Sequence, residues 1–137
     1  MVTMQRAVIP WPQPLTQNQV RRLHHYTEAA TKKRMHLQAR AAYRAARLTP
    51  VTEPVHVTLT FQPADRRRRD TDGLAPTLKV ALDALVTEQL LADDNYTHVP
   101  AVTLRITPPI PGEPAACWVT IAPADWVTIA PPPKEDT

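Results

Sequence analysis

The stretch VHVTLTFQPADRRRRDTD, residues 55–72, decides how the rest of the chain is read. Its first eight residues alternate strictly: Val55, Val57, Leu59 and Phe61 are apolar, and His56, Thr58, Thr60 and Gln62 are polar. A period of two residues puts one set on each face of a β-strand, so the apolar set predicts a strand resting on a hydrophobic core. This strand runs directly into four consecutive arginines, Arg66, Arg67, Arg68 and Arg69, held between Asp65 and the acid pair Asp70 and Asp72. A polycation and two carboxylates therefore leave the carboxyl end of a well-anchored strand together.

Downstream, GLAPTLKVALDALVTEQLLADD carries Leu78, Ala81, Leu82 and Leu85 on one face, which predicts an amphipathic helix of about three or four turns. Pro76 suits the first helical position, where its missing N–H costs nothing, so Gly73 to Ala75 are expected in the connecting loop and the helix is expected to end near Leu90. HVPAVTLRIT alternates again, with Val102, Leu104 and Ile106 on one side, and AACWVTIAP reads as a further strand after the proline-rich loop PPIPGEP. WVTIAPAD from Trp118 is followed at once by WVTIAPPP from Trp126. The first copy is expected in the sheet and the second as a duplicated-strand, proline-rich tail over residues 126–137, outside a single domain of residues 1–125.

Upstream, MQRAVIPWP predicts a short strand stopped by Pro10 and Pro12. The segment from Thr16 to Leu48 has no proline or glycine and predicts one long helix, opened by a capping box of Thr16 and Gln19. Val20, Leu23, Thr27, Ala30, Leu37, Ala41, Ala45 and Leu48 fall at helical spacing, and Arg34 interrupts their stripe, so a bend is expected there. The expected fold is α+β, a mixed sheet of about four strands with two main helices packed on it.

A chain of 137 residues has the size of one domain. No apolar run reaches the roughly 18 residues a spanning helix needs, so a soluble, cytoplasmic protein without a membrane partner is expected. The lone Cys117 has no partner for a disulfide, and no Cys/His spacing reads as a zinc site. Only two glycines, Gly73 and Gly112, are present, which excludes a glycine-rich phosphate loop and with it a nucleotide cofactor. The five histidines are scattered and most read as surface residues, with His98 a candidate to lie near the acidic pair. Net charge is +3, but up to Arg47 the chain holds nine Lys or Arg against one acid, Glu28, and beyond it seven against twelve. The basic half, with Arg21, Arg22, Lys32 and Lys33 off the apolar stripe, carries the footprint of polyanion binding, and a solvated helix face explains it as well.

Asp70 and Asp72 at the strand end, and Asp93 and Asp94 after the second helix, can converge if strand and helix pack as a unit. Clustered carboxylates repel unless a hard divalent cation sits among them, and an oxygen-only donor set suits Mg²⁺, with Mn²⁺ as a substitute. Arg66 to Arg69 can then grip phosphates, and Lys79 can stabilise charge building on a phosphoryl group attacked by metal-activated water. Duller readings stand beside these: a solvated arginine loop, Asp72 as a helix cap, Lys79 and Asp83 as an i,i+4 pair, and Asp93 and Asp94 as turn residues.

Taken jointly, DRRRRDTDGLAPTLKVALDALVTEQLLADD resembles the RusA family of Holliday junction resolvases, crossover junction endodeoxyribonucleases often carried by phages and prophages. In that family a D-R-R-R-R-D-x-D loop leads into a helix with a lysine and a D-A-L segment, followed by a second acidic pair; the counterparts here are Asp65 to Asp72, Lys79, Asp83-Ala84-Leu85 and Asp93-Asp94. IPWPQP is similar to the family's opening strand and its exit. The resemblance implies Mg²⁺ held by Asp70, Asp72 and Asp94, with Asp93 as a further candidate, catalytic assistance by Lys79, DNA contacts from the arginine run, and a homodimer nicking four-way or branched DNA symmetrically in recombination and repair. Where the family places its lysine, four residues after the second aspartate, Pro76 stands here and Lys79 comes three residues later; the extra residues are expected in the loop. Gly73 replaces the family's asparagine. The alternative function is a non-catalytic DNA-binding accessory protein that uses the basic helix and Arg66 to Arg69.

Overall fold

The computed structural model describes residues 3–124. Four strands, β1 (Gln5–Ile9), β2 (Val55–Gln62), β3 (Ala101–Ile106) and β4 (Ala116–Pro123), form one sheet in the order β1-β4-β2-β3. β2 runs parallel to β3 and antiparallel to β4, and β1 pairs antiparallel with β4. A parallel pair needs a crossover, and α3 (Ala75–Thr87) supplies it. With α2 (His25–Ala45) as the other main helix, the α+β class and the mixed four-stranded sheet are as expected. The first WVTIAP copy lies in β4; the tail expected over residues 126–137 lies outside the described residues.

The alternation of β2 sets the register of the core. Leu59 lies opposite Val119 and Val57 opposite Ile121, while Ala7 and Ile9 of β1 oppose Val119 and Cys117. All these side chains are buried with Met35, Ala39 and Tyr43 of α2 and Leu78, Ala81, Leu82 and Leu85 of α3. Thr60 and Gln62, expected to face away, are buried as well. Arg105 on β3 donates to the Thr60 hydroxyl at 3.3 and 3.2 Å, and Gln62 donates to Glu113 at 3.1 Å, so neither polar group is left without a partner.

Two expectations for the long helix are corrected. It is broken at Leu23 and His24, both extended, into α1 (Gln17–Arg22) and α2, and Arg34 lies inside α2 without a break. The His24 ring caps α2 by accepting from the Tyr26 N–H at 3.4 Å, a role that a sequence without a Ser, Thr, Asp or Asn at this point does not advertise. The buried stripe of α2 is Met35, Ala39 and Tyr43, while Leu37 is 53 % exposed. The Tyr43 hydroxyl, buried between α2 and α3, donates to the Ala81 carbonyl at 2.8 Å, which favours this stripe over the alanine-rich one. The capping box of Thr16 and Gln19 is present as expected.

Two tethers fix the helices beside the carboxyl end of β2. Thr77 in the first turn of α3 donates to the Leu15 carbonyl, pinning the start of α1, and the buried Trp11 indole donates to Gln38 at 3.1 Å. At the far end, Glu88 accepts from Arg40 at 2.6 Å and from Arg44 at 2.8 Å, clamping α2 to the end of α3. Arg40 and Arg44 therefore serve the fold. Both main helices end in a left-handed residue that is not glycine, Arg47 at φ 55° and Gln89 at φ 61°. Each end is closed by the six-residue bond of a Schellman motif, Leu48 N–H to Tyr43 carbonyl and Leu90 N–H to Leu85 carbonyl. Among the described residues no helix is long and apolar enough to cross a membrane.

Candidate functional site

The segment after β2 folds around Asp65. Its carboxylate accepts from the Arg67 backbone N–H at 3.0 Å and from the Arg69 guanidinium at 2.7 Å, and Arg67 Nε stands 3.2 Å from its second oxygen. These donors hold the Asp65 carboxyl below the usual carboxylate range, the Arg67 N–H contributing most and Arg69 next. Arg69 also donates to the carbonyls of Asp65 and Arg67 at 3.1 Å and lies 5.7 Å above the Phe61 ring. Expected at phosphates with its neighbours, Arg69 is instead the brace of the loop. Arg66 and Arg68 project outward, and Arg68 reaches only the Asp70 carboxylate, at 4.0 Å.

The loop expected over Gly73 to Ala75 is corrected. Thr71 to Leu74 form a 3₁₀ turn with Leu74 buried, and Ala75 is already helical, with Pro76 one residue further in. Asp70 flanks this turn and Asp72 is in it, both exposed. Among the described residues the Asp72 carboxylate accepts no hydrogen bond and forms no ion pair, and it does not cap the turn.

Asp70 and Asp72 line a groove of about 1500 Å³ together with Arg67, Arg68 and Arg69. Its other wall comes from α1 and α2 and carries Arg21 and Arg34, with Gln13, Gln17 and Gln19 as polar groups and Trp11 and Phe61 lining it as well. Arg34 was not among the sequence candidates. Its signal was visible, since a cation that interrupts an apolar stripe needs water or an anion beside it. Arg22 is exposed outside the groove. Lys32 and Lys33 line a smaller depression of about 660 Å³ with His36, Lys79 and Asp83, and Lys32 is engaged by Glu28 at 2.7 Å.

Lys79 and Asp94 do meet, as an ion pair. The Lys79 ammonium lies 3.1 Å from Asp94 and 3.2 Å from Asp83, so its pKa is raised, chiefly by Asp94, and the Asp94 carboxyl is lowered by the same contact. Asp93 is used by its own turn, accepting from the Asp94 N–H at 2.7 Å and from Asn95 at 3.2 Å. The expected convergence of three or four carboxylates is not seen: among the described residues no three His, Cys, Asp or Glu side chains gather closely enough to hold a metal ion. The ammonium of Lys79 already supplies the charge that Asp94 needs. Asp70 and Asp72 still suit Mg²⁺ by donor chemistry, because this ion typically takes one or two carboxylates and completes its octahedron with water and substrate phosphate. Both residues line the groove, Asp72 without a partner among the described residues and Asp70 with one 4.0 Å contact to Arg68.

No protein-family model matches the chain, and neither does any curated protein.

Proposed function

We propose that this chain is a Mg²⁺-dependent endonuclease that nicks four-way or branched DNA, a Holliday junction resolvase of the RusA kind acting as a homodimer. The observation that carries this reading is the groove that the exposed Asp70 and Asp72 line together with arginines of the loop and of α1 and α2. Carboxylates alone repel a phosphodiester; with Arg67, Arg68, Arg21 and Arg34 beside them, the backbone can be drawn against the acids. Asp70 and Asp72 would hold the cation, which supplies a water nucleophile at neutral pH and neutralises the attacked phosphate. Arg66 and Arg68, which among the described residues have no partner stronger than the 4.0 Å contact of Arg68 to Asp70, would position the strand. Lys79 is the residue proposed to offset charge on the leaving oxygen, a role for which it must exchange Asp94 and Asp83, outside the groove, for the bound DNA. A two-fold dimer matches the approximate symmetry of a junction and presents two such sites.

A second reading, a DNA-binding accessory protein without catalysis, is favoured by one observation: Lys79 and Asp94 neutralise each other outside the arginine groove. Incubating a labelled synthetic four-way junction with the protein, in Mg²⁺ or in EDTA, beside Asp72→Asn separates the two. Paired, ligatable nicks that need both metal and Asp72 are the expected result. Binding that ignores Mg²⁺, strengthens in Asp72→Asn and yields no nicks on several junction sequences would leave the accessory reading.

A further inference from the structure

At the break between α1 and α2 the rings of His24, His25 and Tyr26 cluster: His24 and Tyr26 stack with centroids 5.3 Å apart, and His25 is tilted against both, at 4.4 Å from His24 and 4.0 Å from Tyr26. All three side chains are exposed, Tyr26 at 73 %. Ring stacking in globular proteins is ordinarily a way of burying apolar surface, yet nothing among the described residues covers this cluster. Its surroundings are cationic. Arg21 and Arg22 precede it and Lys32, Lys33 and Arg34 follow, while the one acid up to Arg47, Glu28, is taken up by Lys32. Two neighbours, Arg21 and Leu23, line the arginine groove, so the stack stands at its margin. The backbone also holds it in place, since the extended Leu23 and His24 turn the chain there and the His24 ring is fixed by the Tyr26 N–H.

Resting on the reading of the groove as a branched-DNA site, we infer that the His24–His25–Tyr26 stack is a platform for an unstacked base at the branch point. Exposed π-faces on a basic segment, next to a groove lined by arginines, suit one ligand chemistry, a nucleobase whose own phosphates are held close by. In a paired duplex the base faces are hidden, and the platform has nothing to receive; at a branch point or a single-strand end they are open. The stack thus adds to the discrimination between branched and linear DNA by contacting an exposed base face as well as the backbone.

The test is binding in EDTA, where no cleavage occurs, to a four-way junction carrying 2-aminopurine at the branch and to a linear duplex of the same length. Tyr26→Ala is expected to weaken junction binding about tenfold and to abolish the fluorescence change at the branch, since one stacked base is lost. Linear-duplex binding is expected to stay within about twofold, being carried by phosphate contacts. Tyr26→Phe should restore the junction affinity, and His24→Asn, which keeps a side-chain acceptor for the helix cap, should weaken it as Tyr26→Ala does. Junction binding untouched by Tyr26→Ala, or junction and duplex weakened equally, would overturn the platform while leaving the nuclease reading intact. Wild-type protein that binds neither DNA would overturn the nuclease reading and the platform with it.

Discussion

The arginine run makes a quantitative prediction, because its four members hold unequal positions. Arg69 is committed to Asp65 and two carbonyls and its side chain is 26 % exposed, whereas that of Arg68 is 92 % exposed with one 4.0 Å contact. Each phosphate neutralised on duplex DNA contributes about 0.9 to the slope of log affinity against log salt. Removing two free arginines in Arg66→Gln/Arg68→Gln should therefore flatten the slope by about 1.8, so that raising salt fourfold weakens the variant about 12-fold less than the wild type. Arg69→Gln should leave the slope almost unchanged, because that guanidinium already has its partners in the folded loop. Fluorescence anisotropy with a labelled junction, titrated in EDTA across a fourfold salt range, gives all three slopes. If Arg69→Gln flattened the slope as much as Arg68→Gln does, or if the double variant matched the wild type, the division of the run into brace and contacts would be wrong.

Three further predictions concern the frame around the groove. Gln89→Gly relieves a left-handed residue at a helix end and should stabilise the protein by about 1 kcal/mol, seen as a melting temperature higher by about 4 °C; a lower one would show that the glutamine side chain contributes there. The depressed carboxyls of Glu88, held mainly by Arg44, and of Asp94, held mainly by Lys79, stabilise the fold above the ordinary carboxylate pKa of about 4, and that contribution is lost as pH falls through their lower folded values. The urea midpoint should fall on acidification below about pH 4 and fall less in Glu88→Gln, whereas an identical pH dependence would remove Glu88 from the account. Cys117, fully buried and pushed up to about 12 by desolvation, should not react with Ellman's reagent until urea unfolds the chain.

The parts of the fold that could be read in advance rest on strong local periodicity. β2 alternates without exception over eight residues and formed where expected; α3, with a leucine face and a proline near its start, formed too, but begins one residue earlier and ends at Thr87, three residues short of the expected Leu90. The long basic helix was harder because its alanines carry too little apolar surface to mark a face. The choice between stripes was made by Tyr43, whose hydroxyl finds the Ala81 carbonyl 38 residues further along the chain. The break at Leu23 and His24 depends on an imidazole acting as cap, which composition hides. At the site, the sequence placed Asp70 and Asp72 beside the arginines, and the groove does contain them together. It did not reveal that Asp65 would claim Arg69 or that α1 and α2 would bring Arg21 and Arg34 to the groove, while the turn role of Asp93 was among the duller readings. The arginines of α1 and α2 reach the groove through packing between segments distant in sequence, whereas the Asp65–Arg69 pair is a local i,i+4 contact, and which of the four arginines Asp65 takes is set by the path of the loop.

The strand order sets the sequence of events in folding. β4 is the last strand described, and it lies between β1 and β2, so the first strand made has no sheet neighbour until about 110 residues later in the chain are available. During synthesis, β2 and α3 can begin to associate as a nearby unit, while β1 must wait with its backbone N–H and C=O groups unpaired. Contacts this far apart in sequence predict slow closure and a transient open edge, which is the state most exposed to pairing with another nascent copy.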